Sequence, residues 1–255
     1  MTVLGAEVVV PSGLPTGTEK ALRCFLAAYP GCIESVQSEE SRVTLTMASG
    51  AVVVFEDYLP KKYQQRIDDP DLADTLHDAY PAEMSFKTWP EGLDPGRYRS
   101  DAFLGAIYGS TKSEVKKNLV TVDFLGHKLS FNQCNGAAAA LKKVAADLAE
   151  VLKKKPGLKP HLENLGGTYN WRKVAGTSRL SAHSYGISID LNTDLGAYWQ
   201  WEKKQALAEM KKRLAYPQEI VKVFEKHGFI WGGKWYYYDL MHFEYRPELL
   251  PPHAP

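Results

Sequence analysis

Ser181-Ala182-His183-Ser184-Tyr185-Gly186-Ile187-Ser188-Ile189-Asp190, continued by Leu191-Asn192, is the stretch from which the rest of the chain can be read. Ile187, Ile189 and Leu191 alternate with Ser188, Asp190 and Asn192, the two-residue period of a strand with one buried and one polar face. Asp190 therefore stands on the polar face. His183 precedes the strand across Ser-Tyr-Gly, and Gly186 can take backbone conformations closed to other residues, so the loop can fold back and bring His183 to Asp190. A second segment, Lys234-Trp-Tyr-Tyr-Tyr-Asp239-Leu-Met-His242-Phe-Glu244-Tyr245, is rich in aromatics and reads as a strand over 235–245. Asp239 and His242 are three residues apart and would point to opposite faces of a regular strand. If both serve one point, a bend or bulge must lie between them.

The side chains so gathered are two imidazoles and two carboxylates. A catalytic zinc takes three protein ligands from His and Asp/Glu, keeps a fourth position for water, and works beside a separate carboxylate base.

Composition changes character about midway. Residues 18–29 read as a short amphipathic helix stopped by Pro30-Gly31, and 43–47 with 51–55 as a hairpin around Ala48-Ser49-Gly50. From Asp57 to about Lys116 the chain is rich in Pro, Asp and Tyr, with a turn at Asp94-Pro95-Gly96-Arg97. Beyond it, Leu141, Val144, Leu148 and Val151 mark a helix over 136–154; a second helix is predicted over 202–214, and Pro217 opens a third that runs to Lys226. With strands at 187–191 and 235–245, the expected class is α+β: helices packed on one side of a small, largely antiparallel sheet whose other side carries the zinc. Residues 1–115 form an N-terminal α/β extension and residues 116–255 the zinc-bearing domain.

Tyr169-Asn170-Trp171-Arg172, then Ala175-Gly-Thr-Ser-Arg-Leu-Ser181 through Asn192, then Trp231-Gly-Gly-Lys through Glu248 closely resemble the M15 peptidases over roughly residues 115 to 249. These are zinc D-alanyl-D-alanine carboxypeptidases, dipeptidases and L-alanyl-D-glutamate endopeptidases of bacterial cell-wall peptides. Their pattern, Ser-x-His-x6-Asp followed by Glu/Asp-x-x-His, falls here on Ser181, His183, Asp190, Asp239 and His242. The resemblance implies zinc held by His183, Asp190 and His242, Asp239 as general base and acid, and Arg172 as a cation near the scissile carbonyl. Asp rather than Glu at 239 looks more like the L-alanyl-D-glutamate endopeptidase branch, and the shorter carboxylate requires its backbone to lie closer to the attacking water. The implied partners are peptidoglycan and its stem peptides, and the implied location is the cell envelope. A D-alanyl-D-alanine carboxypeptidase is the alternative; it would need a buried Arg or Lys to meet the free terminal carboxylate. An alternative of another class is a zinc-containing cell-wall-binding module without turnover.

Other residues carry weaker signals. Ser181 and Ser184 lack a Gly-x-Ser-x-Gly elbow, so Ser181 is read as holding its loop by hydrogen bonds. Glu244 shares strand parity with His242 and either orients that imidazole, binds substrate or is a solvated strand charge. Arg97 and Arg99 either face a substrate carboxylate or make structural ion pairs. His77, His127, His161, His227 and His253 have no partner at ligand spacing. Cys24 and Cys32 can pair in an oxidising compartment, or all three cysteines are buried thiols.

With 255 residues, 44% hydrophobic and 24% charged, the chain can bury a proper core. A net charge of +1 argues against a dedicated nucleic-acid binder. No run approaches the ~18 apolar residues of a transmembrane segment, and no charged n-region with an apolar h-region is visible at the start.

Overall fold

The computed structural model describes residues 8–174, 176–202 and 209–254. The extension opens with α1 (Thr16–Ala28), followed by β1 (Ile33–Glu39), β2 (Arg42–Met47) and β3 (Val52–Glu56), an antiparallel sheet in that order. Val43, Leu45 and Met47 of β2 alternate inward with Val53 and Phe55 of β3, and Phe25 of α1 meets Phe55 edge-on at 5.9 Å. The expected helix and hairpin are thus present. β1 was not anticipated: it holds one buried residue, Ile33, and the half-buried Val36 among exposed ones, so no apolar alternation marks it.

A passage containing α2 (Tyr63–Asp68) leads to α3 (Asp101–Tyr108) and α4 (Lys112–Asn118), the latter opened by a capping box between Thr111 and Glu114. β4 (Leu119–Phe124) and β5 (His127–Asn132) then pair as a hairpin turned at Leu125 and Gly126, with φ of 52° and 93°. α5 (Ala137–Lys154) follows. The remaining elements are β6 (Leu165–Gly167), β7 (Ser188–Asn192), α6 (Lys211–Ala215), α7 (Gln218–Lys226), β8 (Phe229–Trp231) and β9 (His242–Tyr245).

The sheet that matters for function has four antiparallel strands in the order β6-β7-β9-β8. Its register sets Asp190 opposite His242, Ile189 opposite Phe243 and Ser188 opposite Glu244. Because side chains alternate, Ile189 and Phe243 share one face, where Phe243 stacks on Phe224 of α7 at 4.1 Å. Asp190, His242 and Glu244 are left on the other. This is the α+β plan with helices behind the sheet and polar donors in front.

Two expectations need correcting. The strand predicted over 235–245 is a strand only at His242–Tyr245, and the aromatic run before it is a loop. Its backbone is satisfied elsewhere: the buried Arg213 donates to the carbonyls of Gly233 (3.0 Å), Trp235 (2.7 Å) and Tyr236 (3.2 Å), and Tyr236 N donates to Leu93 O (2.8 Å). With those groups taken, no ladder forms. The helix predicted over 202–214 is found as Lys211–Ala215; Glu202 lies in a turn, and 203–208 fall outside the described residues.

One continuous cluster of buried apolar side chains runs from α1 and the first sheet through α5 to Phe243. Tyr29, just past the end of α1, also donates to Glu248 Oε2 (2.7 Å), and the Cys24 thiol of α1 to Glu248 O (3.1 Å). Cys24, Cys32 and Cys134 are free thiols. Among the described residues no helix is long and apolar enough to cross a membrane.

Candidate metal centre

Ser181 caps a single 3-10 turn, Ala182–Tyr185, its Oγ accepting from His183 N at 3.4 Å. Gly186 ends that turn with φ 68° and ψ 32°, and a Cβ there would meet Leu119 Cδ2 at 2.6 Å, so both the left-handed backbone and the space call for glycine. The fold-back expected of this loop is therefore realised, and His183 arrives in front of β7.

There, His183 Nε2 lies 3.2 Å and His242 Nδ1 2.9 Å from the same oxygen, Asp190 Oδ1. One donor atom from each of the three residues falls within 4.8 Å of the others. The outer nitrogens are engaged by groups that can only accept. His183 Nδ1 donates to the Thr168 carbonyl (2.7 Å), and His242 Nε2 faces Glu244 Oε2 (3.4 Å). These contacts favour a proton on each outer nitrogen and leave the inner nitrogens, which face Asp190, as the atoms a metal would take, the arrangement by which a carbonyl or carboxylate orients a metal-binding imidazole. Glu244 is in turn fixed by Arg99 Nη1 (2.8 Å) and Arg246 Nη1 (3.1 Å). Fully buried, it is held well below the usual carboxylate range by Arg99, His242 and Arg246, which outweigh its desolvation.

Two imidazole nitrogens facing one carboxylate oxygen call for positive charge between them, carried by protons on the rings or by a bound cation. Burial pulls His242 down, but Asp190 and Glu244 more than offset it and push the imidazole up to about 10; against the same burial, His183 and His242 hold Asp190 far below its ordinary value. A divalent cation satisfies that demand with this donor set, N, N and O, which suits zinc.

Asp239 completes the group. His242 N donates to Asp239 O at 3.3 Å, a turn that supplies the expected bend between the two residues and points both side chains into one cleft. Its Oδ1 is buried and has no hydrogen-bond partner among the described residues. Burial, aided by the Asp190 charge and opposed by the imidazoles, pushes its carboxyl up to about 6. A buried acceptor without a donor, next to a cation-demanding cluster, fits a water held at a metal.

The cleft, about 280 Å³, is also lined by Arg97, Arg99 and Arg172, and by Tyr198, Trp199, Trp201, Trp235 and Tyr237. Arg172 is exposed on its wall; its backbone is tied to the histidine turn through Ser184 Oγ, which accepts from Arg172 N (2.9 Å) and donates to Arg172 O (2.7 Å). Arg97 packs over the rings of Tyr237 (5.3 Å) and Trp235 (5.8 Å). Of the histidines set aside in the sequence, His77 pairs with Asp78 (2.8 Å) and His227 with Asp147 (2.9 Å), away from the cleft. Sequence reasoning missed Thr168, which acts through its carbonyl and leaves no side-chain signal, and the aromatic wall, of which Trp235 and Tyr237 were read as strand and Tyr198, Trp199 and Trp201 were not singled out.

A family model described as D-alanyl-D-alanine carboxypeptidase matches residues 175–245. That span takes in His183, Asp190, Asp239 and His242. No curated protein and no solved structure matches the chain.

Proposed function

We propose that this chain, whose residues 175–245 match a family model described as D-alanyl-D-alanine carboxypeptidase, is a zinc-dependent hydrolase of peptidoglycan stem peptides of the M15 kind, working in the cell envelope or outside the cell. The observation that carries it is the convergence of His183 Nε2, Asp190 Oδ1 and His242 Nδ1 beside the unpartnered Asp239 Oδ1. In this reading His183, Asp190 and His242 hold the zinc, which when bound supplies Lewis acidity that eases deprotonation of water and polarises the scissile carbonyl. Asp239 Oδ1 accepts a proton from the attacking water and later delivers it to the leaving amine, so that the water's hydroxyl ends on the acyl carbon and its proton on the amine. Arg172 meets the negative charge that grows on the carbonyl oxygen. Thr168 and Glu244 keep the two imidazoles aimed. The extension (1–115) and the catalytic part (116–255) act as one unit, because Arg99 of the former holds Glu244 of the latter.

The bond we assign is L-alanyl-D-glutamate, on the resemblance carried by Asp at position 239. The family description favours a second reading, removal of a terminal D-alanine. A binding module without turnover has no use for a buried carboxylate oxygen left without a donor in this position. The deciding experiment incubates the zinc-loaded protein with a muropeptide pentapeptide and weighs the products. Release of the tetrapeptide that begins at D-glutamate supports the assignment; loss of one D-alanine with the L-alanyl-D-glutamate bond intact transfers it to the second reading, and no cleavage refutes both.

A further inference from the structure

A row of aromatic rings in mutual contact leads from the metal cleft onto the extension. Trp201 meets Tyr198 edge-on at 5.6 Å, Tyr198 meets Trp199 at 6.0 Å, and Trp199 lies 4.8 Å from Tyr237, centroid to centroid. Tyr237 then meets Tyr236 in its own loop at 5.1 Å and Tyr63 of α2 at 6.2 Å. The first four rings line the cleft; Tyr237, with Tyr63 and Tyr236, also lines a second hollow of about 430 Å³, so the two hollows share a wall. The row is fixed relative to the catalytic carboxylate. Tyr198 pairs antiparallel with Asp239, Leu240 N donates to Ala197 O (2.9 Å), and Trp199 N donates to Tyr238 O (3.1 Å). At the far end the buried Asp94 accepts from Tyr63 OH (2.7 Å) and, on its other oxygen, from Tyr237 N (3.1 Å), so one carboxylate places both tyrosines.

These rings are not core. Trp201 keeps 63% of its surface exposed although Tyr198 braces it, and Tyr63, Tyr198, Tyr236 and Tyr237 are half-buried. Rigid rings held in line and left wet offer a face for a ligand to cover. The polar groups beside them describe that ligand. Gln200, exposed between two tryptophans of the row, and Glu91, on the rim of the second hollow, make no hydrogen bond or ion pair with any described residue. Nucleic acids also stack on such rows but need cations along their phosphates; Arg66, which lines the second hollow, is already held by Asp74 (3.0 Å), while Glu91 beside it is acidic and unpaired. A sugar fits better. A pyranose lays a face of C–H groups on an aromatic ring and turns hydroxyl and acetamido groups outward to amide and carboxylate side chains, and the hollow falls in the ligand-sized range of about 300–1,000 Å³.

We infer that this row binds the N-acetylated amino-sugar chain of peptidoglycan while the stem peptide borne on it occupies the metal cleft. The inference rests on the peptidase reading above and narrows its substrate to peptide still attached to glycan. Both bonds considered there leave the sugar on the acyl side of the scissile carbonyl, one residue away for L-alanyl-D-glutamate and four for a terminal D-alanine. At about 3.5 Å per extended residue, the sugar then lies beside the cleft or about 14 Å along from it, and a row that starts in the cleft and leads away serves either. Tyr63 gives the extension its part in this. A sugar held on the row delivers its peptide intramolecularly, which lowers KM and leaves the chemical step as it is.

The test uses the full chain, zinc-loaded. Titration with tetra-N-acetylchitotetraose, a glycan without peptide, reads the row alone by calorimetry and tryptophan emission. We expect saturable binding that weakens about 10-fold in Trp201→Ala and in Tyr63→Ala and is largely kept in Trp201→Phe. Hydrolysis is then compared for a pentapeptide carrying N-acetylglucosaminyl-N-acetylmuramic acid and for the same pentapeptide N-acetylated instead. The wild type should show a KM about 10-fold lower for the sugar-borne peptide at similar kcat, and Trp201→Ala should bring the two KM values to within about threefold of each other. Zinc content and melting temperature report whether the variants fold; if Tyr63→Ala does not, Trp201→Ala, at an exposed ring, decides alone. No chitotetraose binding up to about 10 mM, binding unchanged in the alanine variants, or equal KM for the two peptides overturns the inference, as does tighter binding of a single-stranded oligodeoxynucleotide than of the sugar. Sugar binding that the variants weaken, with no hydrolysis of either peptide by the wild type, keeps the row and refutes the peptidase; hydrolysis without sugar binding does the reverse.

Discussion

Among the described residues, two places gather enough acidic or imidazole groups to suggest a metal: Glu56, Asp57 and Asp71 in the extension, and His183, Asp190 and His242 on the four-stranded sheet. In the first, Lys61 Nζ sits 2.9 Å from Asp57, 2.8 Å from Asp71 and 2.9 Å from Asp74, and Arg66 adds a contact to Asp74 at 3.0 Å. The fold has supplied its own cation. In the second, no described Lys or Arg pairs with Asp190, both imidazoles face it with one nitrogen while acceptors engage the other, and Asp239 Oδ1 has no donor among the described residues. Proximity of donors is common to both; what separates them is whether a side chain closes the centre, and whether groups outside it fix the tautomers.

The most direct way to break that contrast is His183→Ala. One of three ligands is lost, so zinc bound after loading should fall from about one per chain to near zero and hydrolysis should vanish. Elemental analysis decides it, and an unchanged zinc content would put the two clusters on the same footing. Asp239→Asn sharpens the contrast instead. The amide is nearly isosteric and cannot take the water's proton, so zinc should be retained while kcat falls about 10²-fold or more; near wild-type turnover would remove Asp239 as the base.

Glu244→Gln acts one step further out. An amide in place of the carboxylate weakens the hold on His242 Nε2 and loosens Arg99 and Arg246, so zinc affinity measured by chelator competition should drop about 10- to 100-fold. Unaltered affinity would mean that the outer contacts distinguishing this cluster are incidental.

Much of the centre was legible because its geometry is local. Period-two alternation puts Asp190 on the polar face, and Gly186 at the end of a short turn brings His183 back to it; both follow from a handful of neighbouring residues. The bend between Asp239 and His242 was forced by the same periodicity. The aromatic run 235–241 defeated the reading because its backbone partners are Arg213 and Leu93, distant in sequence, and β-propensity yields when the ladder has no free groups. The β4–β5 hairpin did show a readable alternation, Val120, Val122 and Phe124, that went unused, whereas β1 offered none.

The smallest effect on function should come from Lys61→Met, and it tests the other half of the comparison. Removing the ammonium while keeping the apolar stem leaves Asp57, Asp71 and Asp74 facing one another with little water, since the Asp71 side chain is 5% exposed and that of Asp74 13%. Breaking a buried pair in this way costs about 3 kcal/mol, read as a lower midpoint in urea. Zinc content and kcat/KM should stay within about twofold, because nothing in that cluster reaches the cleft and additivity holds for separated sites. Millimolar calcium, offered three oxygen donors without an internal cation, should raise the melting temperature of the variant and leave the wild type unmoved. A variant that loses zinc or turnover would show the acidic cluster and the catalytic centre to be coupled, and the distinction between a cluster that is closed and one that is open would have to be abandoned.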